Sequence, residues 1–426
     1  MYTISNPTKK LKGSIQLTAS KSESNRALII QALSKEKFEI RNIATAQDTQ
    51  TLQEILQADQ LHLQSKEKKN EPTYDVGPAG TTMRFLTAYF ATTPGTRILT
   101  GSARMKQRPI GTLVDALRKL GAKITYLEKD GYPPLRIEGK TLKGGEIEIV
   151  GNISSQFISA LLLISPALQN GIVINFKGEV TSRPYINMTL KMMEEFEVVG
   201  TWHDNSISVS RQKYQRNGES GYSYMVEGDW SAASYWYAFA ALADEVDFTI
   251  KGLKSSSMQG DSIVAELFNF FHVNTTYAND GIHLKKKVVN NEQFGFDFSD
   301  CPDIAQTVAV VAALLKIPSH FNGLHTLRIK ETDRIAALKN ELAKVGAHVE
   351  VFNDYSIEIT SPQLAAPETS IKTYEDHRMA MAFSALAMKY DSIMIEHPDV
   401  VKKSYPDFWL DLKNAGFTIK EQTPLS

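Results

Sequence analysis

Lys330, Glu331, Asp333 and Arg334 fall together in the stretch LRIKETDRIAAL at residues 327–338. They open what reads as an amphipathic helix, with Ile335, Leu338 and Leu342 on its apolar side. A helix start presents unpaired backbone N–H groups and the positive end of the macrodipole. Two cations there strengthen an anion site, and two carboxylates beside it offer proton-transfer chemistry. Taken alone, the stretch also reads as a capped, charged helix start on a solvated face. Its meaning changes because the chain makes similar helix starts several more times.

Cations recur near these starts beside small and hydroxyl residues. Lys21, Ser22 and Arg26 open one; Gly80, Thr81 and Arg84 open another. A glycine at such a place lets backbone N–H groups approach an anion closely. RMKQRPIG supplies Arg104, Lys106 and Arg108, and Ser154, Ser155 and Gln156 offer neutral donors in a row. Ser182, Arg183 and Tyr185, then His377 and Arg378, then Lys402 and Lys403 continue the pattern. One by one these have plainer readings. Arg84 or Lys403 alone is a surface ion pair, Ser154 and Ser155 are N-caps, and so are Asp229, Asp303 and Asp376. His377 alone reads equally as a packed core or cap histidine. Capping does not explain cations at N-termini, where the dipole disfavours them. An anion between cation and helix does, so the conjunction points to a multiply charged small anion carrying phosphate or carboxylate.

The elements that position these residues repeat. Polar or Gly-containing starts precede Ala-rich apolar helices from Ser20, Ala79, Ser154, Asp229, Pro302 and Asp376. With Ser22, Gly80, Ser154, Asp229, Asp303 and Asp376 as markers, the intervals are 58, 74, 75, 74 and 73 residues. These helices are apolar nearly all round and should be buried. Each is followed by an amphipathic helix, such as TQTLQEILQADQL or RIAALKNELAKVGAHV. Short runs of strand character lie between, among them RILTG, AKITYLE, LRIEG, EIEIVG, IVINFKG, VDFTIKG, HVEVFND, SIEIT and SIMIEH, punctuated by Gly or Asn353-Asp354. The period is too long for a solenoid. Six copies of a βαβαβ-type unit, three per domain, fit the length. The predicted boundaries are residues 20–226 for one domain and 1–19 plus 227–426 for a discontinuous second. The tract SKEKKNEP at 65–72 reads as a solvated loop.

Length and composition agree with this. The 426 residues suffice for two domains of roughly 200 residues. Charged residues make up 22% and apolar residues 42%, as in a globular enzyme. A formal net charge of −1 argues against a nucleic-acid footprint. The single cysteine, Cys301, excludes an internal disulfide and a multi-cysteine metal site. No apolar run is long enough for a membrane span, and the first residues lack a signal or transit pattern, so a cytoplasmic location is expected. Nothing in the sequence calls for a dimer, and a monomer is expected.

Together the motifs ASKSESNRAL, AGTTMR, RMKQRPIGTLVDALRKLGAKITYLE, YPPLRIEG, ISSQF, SRPYI, VEGDWSAASY, SMQGD, PDIAQT, RIKETDR, DHRMAM and KSYPDF carry a resemblance. They are similar, in order from about residue 13 to residue 410, to the EPSP synthase (3-phosphoshikimate 1-carboxyvinyltransferase) family of enolpyruvyl transferases. The resemblance implies an α/β (α+β) protein of two domains, each of three βαβαββ-type units with buried central helices in an inside-out barrel. It also implies closure on substrates at the domain interface.

By this resemblance the chain moves the carboxyvinyl group of phosphoenolpyruvate to the 5-hydroxyl of shikimate 3-phosphate and releases phosphate. The route is addition then elimination, with no metal and no organic cofactor. The resemblance assigns the hydroxyl proton to Asp303. It assigns delivery and removal of the methyl proton to Glu331, with Lys21 close by. Shikimate 3-phosphate would be held by Lys21, Ser22, Arg26, Ser154, Ser155, Gln156, Ser182, Tyr185, Asp303 and Lys330. Phosphoenolpyruvate would be held by Lys21, Gly80, Arg108, Gln156, Arg334, Arg378 and Lys403. The cations would also stabilise the growing charge of the intermediate, and drawing them from both domains would couple closure to binding.

The chain departs from the family pattern at Pro78 (usually Asn), at Phe85 (often Pro), at Thr18-Ala19 before Ser20-Lys21 (commonly Pro-Gly), and at Thr326 (often Asn). Pro78 removes a backbone N–H beside Gly80, which bears on the phosphoenolpyruvate end and on glyphosate sensitivity. The sister family that uses UDP-N-acetylglucosamine shares the repeats but places a cysteine on an N-terminal-domain loop, whereas Cys301 lies in the C-terminal half. A non-catalytic anion-binding paralogue would have lost proton-transfer residues, and Asp303, Glu331 and Lys21 are all present.

Overall fold

Four of the six apolar helices start behind a polar side chain that satisfies an orphan N–H of the first turn, whereas those from Gly80 and Ala305 start behind Ala79 and Ile304 with no side-chain cap. Ser20 accepts from the Glu23 N–H, Ser154 from Gln156, Asp229 from Ala232 and Asp376 from Arg378. The computed structural model describes residues 1–34, 38–65, 71–216, 222–290, 292–353 and 355–422. Its apolar helices run Lys21–Leu33, Gly80–Thr92, Ser155–Ile164, Trp230–Leu242, Ala305–Leu314 and His377–Ser384. Every side chain from Ala305 to Leu314 is buried, as is nearly every one of Trp230–Leu242. Trp236 stacks on Phe248 with ring centroids 5.1 Å apart.

Each module runs strand, helix, strand, helix, strand, strand. In one, Thr73–Asp75, Gly80–Thr92 and Gly95–Thr100 are followed by Gly111–Lys119, Lys123–Tyr126 and Leu135–Gly139. Its first two strands pair in parallel, and the fourth pairs antiparallel with both the second and the third. The modules beginning at Gly145–Val150, Lys10–Gln16 and Phe294–Asp297 repeat this order. Another takes its fourth strand from the chain start: Tyr2–Ser5 lies between Ile393–Ile395 and Thr418–Glu421, and Ile371 bridges Ile395 in parallel. The remaining module is shorter than the repeat predicts. Ser223–Met225 pairs in parallel with Glu39–Arg41, a two-stranded sheet among the described residues.

The chain divides into two compact units, Ser20–Val226 (the N lobe) and Met1–Ala19 with Glu227–Ser426 (the C lobe). In the N lobe, helices Lys21–Leu33, Gly80–Thr92 and Ser155–Ile164 pack on one another. In the C lobe, Trp230–Leu242, Ala305–Leu314 and His377–Ser384 do the same. The amphipathic helices turn an apolar face to this interior. Leu113, Val114, Ala116 and Leu117 are the buried residues of Gly111–Lys119.

All nine strand-like runs contain strands, and the described residues hold twelve further strands that those runs do not include. Residues 66–70 of the solvated-loop tract and Asp354 of the Asn353-Asp354 turn lie outside the described residues. Among the described residues no helix is long and apolar enough to cross a membrane.

Candidate active site

In the C lobe, a short 3-10 helix at His325–Ile329 brings the chain to Lys330, and helix Arg334–Ala343 begins behind Asp333. The Asp333 carboxylate caps that helix by accepting from the Ile335 and Ala336 N–H groups, each at 3.1 Å. Arg334 is therefore the first helical residue, with its guanidinium buried at the positive end of the dipole. Three carboxylates surround it. Nε donates to Asp376 at 2.7 Å, Nη1 to Asp303 at 3.1 Å and Nη2 to Glu331 at 3.0 Å. Burial opposes the charge, but Asp376, Glu331 and Asp303 together lift Arg334 above the ordinary guanidinium range.

The carboxylates are shared with further cations. Arg378 Nη2 lies 2.9 Å from Asp303 Oδ2, and Lys330 Nζ lies 3.4 Å from Oδ1. Lys403 Nζ donates to Glu331 Oε1 at 2.6 Å. Burial alone raises an aspartate; here Arg378, Lys330 and Arg334 outweigh it and hold Asp303 well below the usual carboxylate range. Burial lowers Lys330, opposed by Asp303. Arg334, Arg378, Lys330 and Lys403 thus pair with Asp303, Glu331 and Asp376 in a buried setting. The cations that the dipole disfavours are balanced by the protein's own carboxylates as well as by any anion that binds.

In the N lobe, a Cβ placed on Gly80 would lie 2.7 Å from Arg108 Nη1, so the missing side chain is what lets this guanidinium rest on the helix start. Arg108 is 8% exposed and, among the described residues, has no ion-pair or hydrogen-bond partner for its side chain; its Nε is fully buried. A buried guanidinium without a counter-charge is costly unless an anion supplies one. Pro78 is exposed in the turn before the helix, and the Ala79 N–H returns to the Val76 carbonyl at 3.1 Å. Lys21 pairs with Asp48 at 3.1 Å, and Gln156 Nε2 donates to Thr81 Oγ1 at 3.1 Å. Ser154 is the N-cap and Ser155 the first residue of their helix, while Ser182 takes a left-handed conformation just before Arg183–Glu194.

Several predicted residues are placed differently from their plain readings. Arg26 is 3% exposed and binds Thr189 Oγ1, the Ser22 and Tyr185 carbonyls and Ser159 Oγ, with Phe85 under the guanidinium at 5.6 Å. Burial pulls it down to about 10. Most of its donors tie the lobe together, so it offers a ligand at most one N–H. Arg84 is no surface ion pair: it is buried and donates to the Gly80 and Pro109 carbonyls. Lys403 is likewise buried, whereas Lys402 pairs at the surface with Asp399. Asp303 is not an N-cap: it sits inside the 3-10 turn Pro302–Ile304, whose cap position is Cys301, and its carboxylate meets the cations. Arg104 is exposed and Lys106 pairs with Glu128, so Arg108 is the buried cation of that motif. Tyr185 and Ser22 are half-buried. The Thr326 hydroxyl is buried with no hydrogen-bond partner among the described residues.

Three residues of the site escaped sequence reasoning. Asp376 is both helix cap and counter-charge to Arg334, and only the cap was legible. Asp48 is buried near the start of helix Gln47–Gln64. Tyr235 is one of two phenols on a buried, largely apolar helix that also carries Ser231 and Ser234; its oxygen accepts from Arg378 Nη1 at 3.2 Å, and burial pushes it up to about 12. A polar tip on an apolar helix is the signal that marks it.

Helix starts that gather cations and carboxylates in both lobes of a βαβαββ-repeat protein define an enolpyruvyl transferase fold. Solved structures agree. An EPSP synthase from Acinetobacter baumannii matches with a TM-score of 0.75 at 20% identity, over 99% of this chain and 100% of that one. The enolpyruvyl transferase NikO from Streptomyces tendae matches with a TM-score of 0.73 at 13% identity, over 99% and 98%. A family model described as EPSP synthase (3-phosphoshikimate 1-carboxyvinyltransferase) matches residues 5–412. A 3-phosphoshikimate 1-carboxyvinyltransferase of Bacteroides fragilis is 49% identical over 423 residues, 98% of each chain. The chain belongs to the EPSP synthase family. Cys301 is 3% exposed, and burial pushes its thiol up, away from reactivity.

Proposed function

We propose that the protein transfers the carboxyvinyl group of phosphoenolpyruvate to the 5-hydroxyl of shikimate 3-phosphate and releases phosphate, as a cytoplasmic monomer. The observation that carries this reading is the Asp303 carboxylate, kept ionised by Arg378, Lys330 and Arg334. In the addition step the acceptor hydroxyl gives its proton to Asp303 and its oxygen attacks C2 of phosphoenolpyruvate, while C3 gains a proton. In the elimination step C3 loses a proton, the double bond re-forms and the C2–O bond to phosphate breaks. Glu331 serves C3 in both steps, supported by Lys21. Its oxygens are engaged by Lys403 and Arg334. The carboxylate and phosphate of phosphoenolpyruvate would take those cations as partners and relieve Glu331 of both.

Phosphoenolpyruvate is held by Lys21, Gly80, Arg108, Gln156, Arg334, Arg378 and Lys403. Shikimate 3-phosphate is held by Lys21, Ser22, Arg26, Ser154, Ser155, Gln156, Ser182, Tyr185, Asp303 and Lys330. Arg108 supports the first set most directly, as a buried guanidinium without a protein partner among the described residues. Arg108→Ala should raise the KM for phosphoenolpyruvate by about 10²-fold, the scale of a lost charge-assisted bidentate contact, and change the KM for shikimate 3-phosphate little. Equal effects on both would contradict the assignment. The reaction itself is tested by phosphorus NMR of protein with both substrates. The enol phosphate signal should give way to inorganic phosphate while the 3-phosphate signal persists; unchanged signals would contradict the proposal.

A further inference from the structure

We propose that Tyr235 is a positioning residue, whose phenol oxygen keeps the Arg378 guanidinium aimed while Asp303 carries the acceptor's proton. The inference rests on the readings of Asp303 as base and of Arg378 as a phosphoenolpyruvate ligand. Arg378 is 7% exposed, in the first turn of helix His377–Ser384. Its two terminal nitrogens meet different acceptors. Nη2 lies 2.9 Å from Asp303 Oδ2, and Nη1 donates to Tyr235 Oη at 3.2 Å. One acceptor is a carboxylate and the other a phenol. Charge-assisted bonds are the stronger kind, so in the resting site Asp303 contributes more of the hold than Tyr235.

Proton transfer changes that balance. When the acceptor hydroxyl gives its proton to Asp303, the carboxylate becomes a neutral acid and its ion pair with Arg378 is lost. At the same moment charge grows on the intermediate that the cations stabilise. The phenol is indifferent to that proton. Burial pushes Tyr235 up to about 12, so it is neutral at working pH and its oxygen accepts from Arg378 before and after the transfer. Its place is fixed by the helix that carries it. Tyr235 is 1% exposed on helix Trp230–Leu242, and its ring meets Phe408 edge-on with centroids 6.1 Å apart. Ser234, the residue before it, lies 3.1 Å from Thr307 Oγ1 on the helix that follows Asp303. The same helix packs on His377–Ser384, which carries Arg378. Tyr235 and Asp303 thus grip Arg378 from two elements whose spacing the C-lobe core sets.

Tyr235→Phe removes one oxygen and keeps the ring on Phe408, so the fold should persist. Its kcat should fall about 10-fold, the scale of one hydrogen bond to a charged group. KM for each substrate should stay within about 2-fold, because Asp303 still holds Arg378 in the ground state. Tyr237→Phe is the control. It removes the other buried phenol of the same helix, which bonds Thr275 Oγ1 at 2.8 Å, and should leave kcat unchanged. Asp303→Asn supplies a second arm. The amide is neutral, like the protonated acid, so Arg378 depends on Tyr235 already in the ground state. With shikimate 3-phosphate present, adding Tyr235→Phe to Asp303→Asn should weaken phosphoenolpyruvate binding about 10-fold in a calorimetric titration. Four results overturn the proposal: a normal kcat for Tyr235→Phe, a raised phosphoenolpyruvate KM with kcat unchanged, an equal kcat loss in Tyr237→Phe, or no weakening in the Asn background. If Asp303→Asn keeps normal turnover, the reading of Asp303 as base has failed and this inference falls with it. If Asp303→Asn is dead and any of the four results appears, only the inference has failed.

Discussion

Asp303→Asn should lower turnover by about 10²–10⁴-fold, the contribution of a positioned general base, while shikimate 3-phosphate still binds. The amide keeps the shape of the carboxylate but cannot accept the hydroxyl proton. The fold should persist, because Arg334 keeps Asp376 at 2.7 Å and Glu331 at 3.0 Å. Arg378 keeps Tyr235. Single-turnover kinetics and a direct titration with shikimate 3-phosphate separate the two effects. Normal turnover would remove Asp303 from its role. A variant that no longer binds shikimate 3-phosphate would make Asp303 chiefly a ligand.

Arg334→Met should cost about 3–5 kcal/mol of stability, the scale for breaking a buried ion pair from one side. Arg334 is 1% exposed and Asp376 is fully buried. Methionine fills the space but leaves Asp376 with the Arg378 N–H as its hydrogen-bond donor, and deprives Asp303 and Glu331 of a shared partner. Arg334→Lys should recover only part of the loss, since one ammonium cannot reach three carboxylates with the geometry of a planar fork. Denaturant unfolding of the three proteins checks the order wild type, Lys, Met. A loss below about 1 kcal/mol for Met would show that the cluster contributes little to the fold.

What was legible follows from where the information lies. The helix starts could be read because cap, cation and apolar run are neighbours in sequence. The repeat could be read because, after a first interval of 58 residues, the markers recur at 74, 75, 74 and 73. Strand Tyr2–Ser5 could not be assigned a place locally, since it is fixed by Ile393–Ile395 and Thr418–Glu421 at the far end of the chain. Three-residue strands such as Glu39–Arg41 are too short to show a period. Asp303 was legible by resemblance, but its depressed proton affinity depends on Lys330, Arg334 and Arg378, all distant in sequence. Arg84 looked like a surface cation because nothing local reveals that the Gly80 and Pro109 carbonyls would receive it. The departures at Pro78 and Phe85 prove compatible with the fold: Pro78 lies in an exposed turn, and the Phe85 ring lies under Arg26.

Phosphate release from phosphoenolpyruvate tests the central claim most directly, with shikimate 3-phosphate or UDP-N-acetylglucosamine as the acceptor. The account predicts release with shikimate 3-phosphate alone, abolished by Asp303→Asn. Release with the nucleotide sugar alone, or with neither acceptor from folded protein that still binds shikimate 3-phosphate, would contradict it.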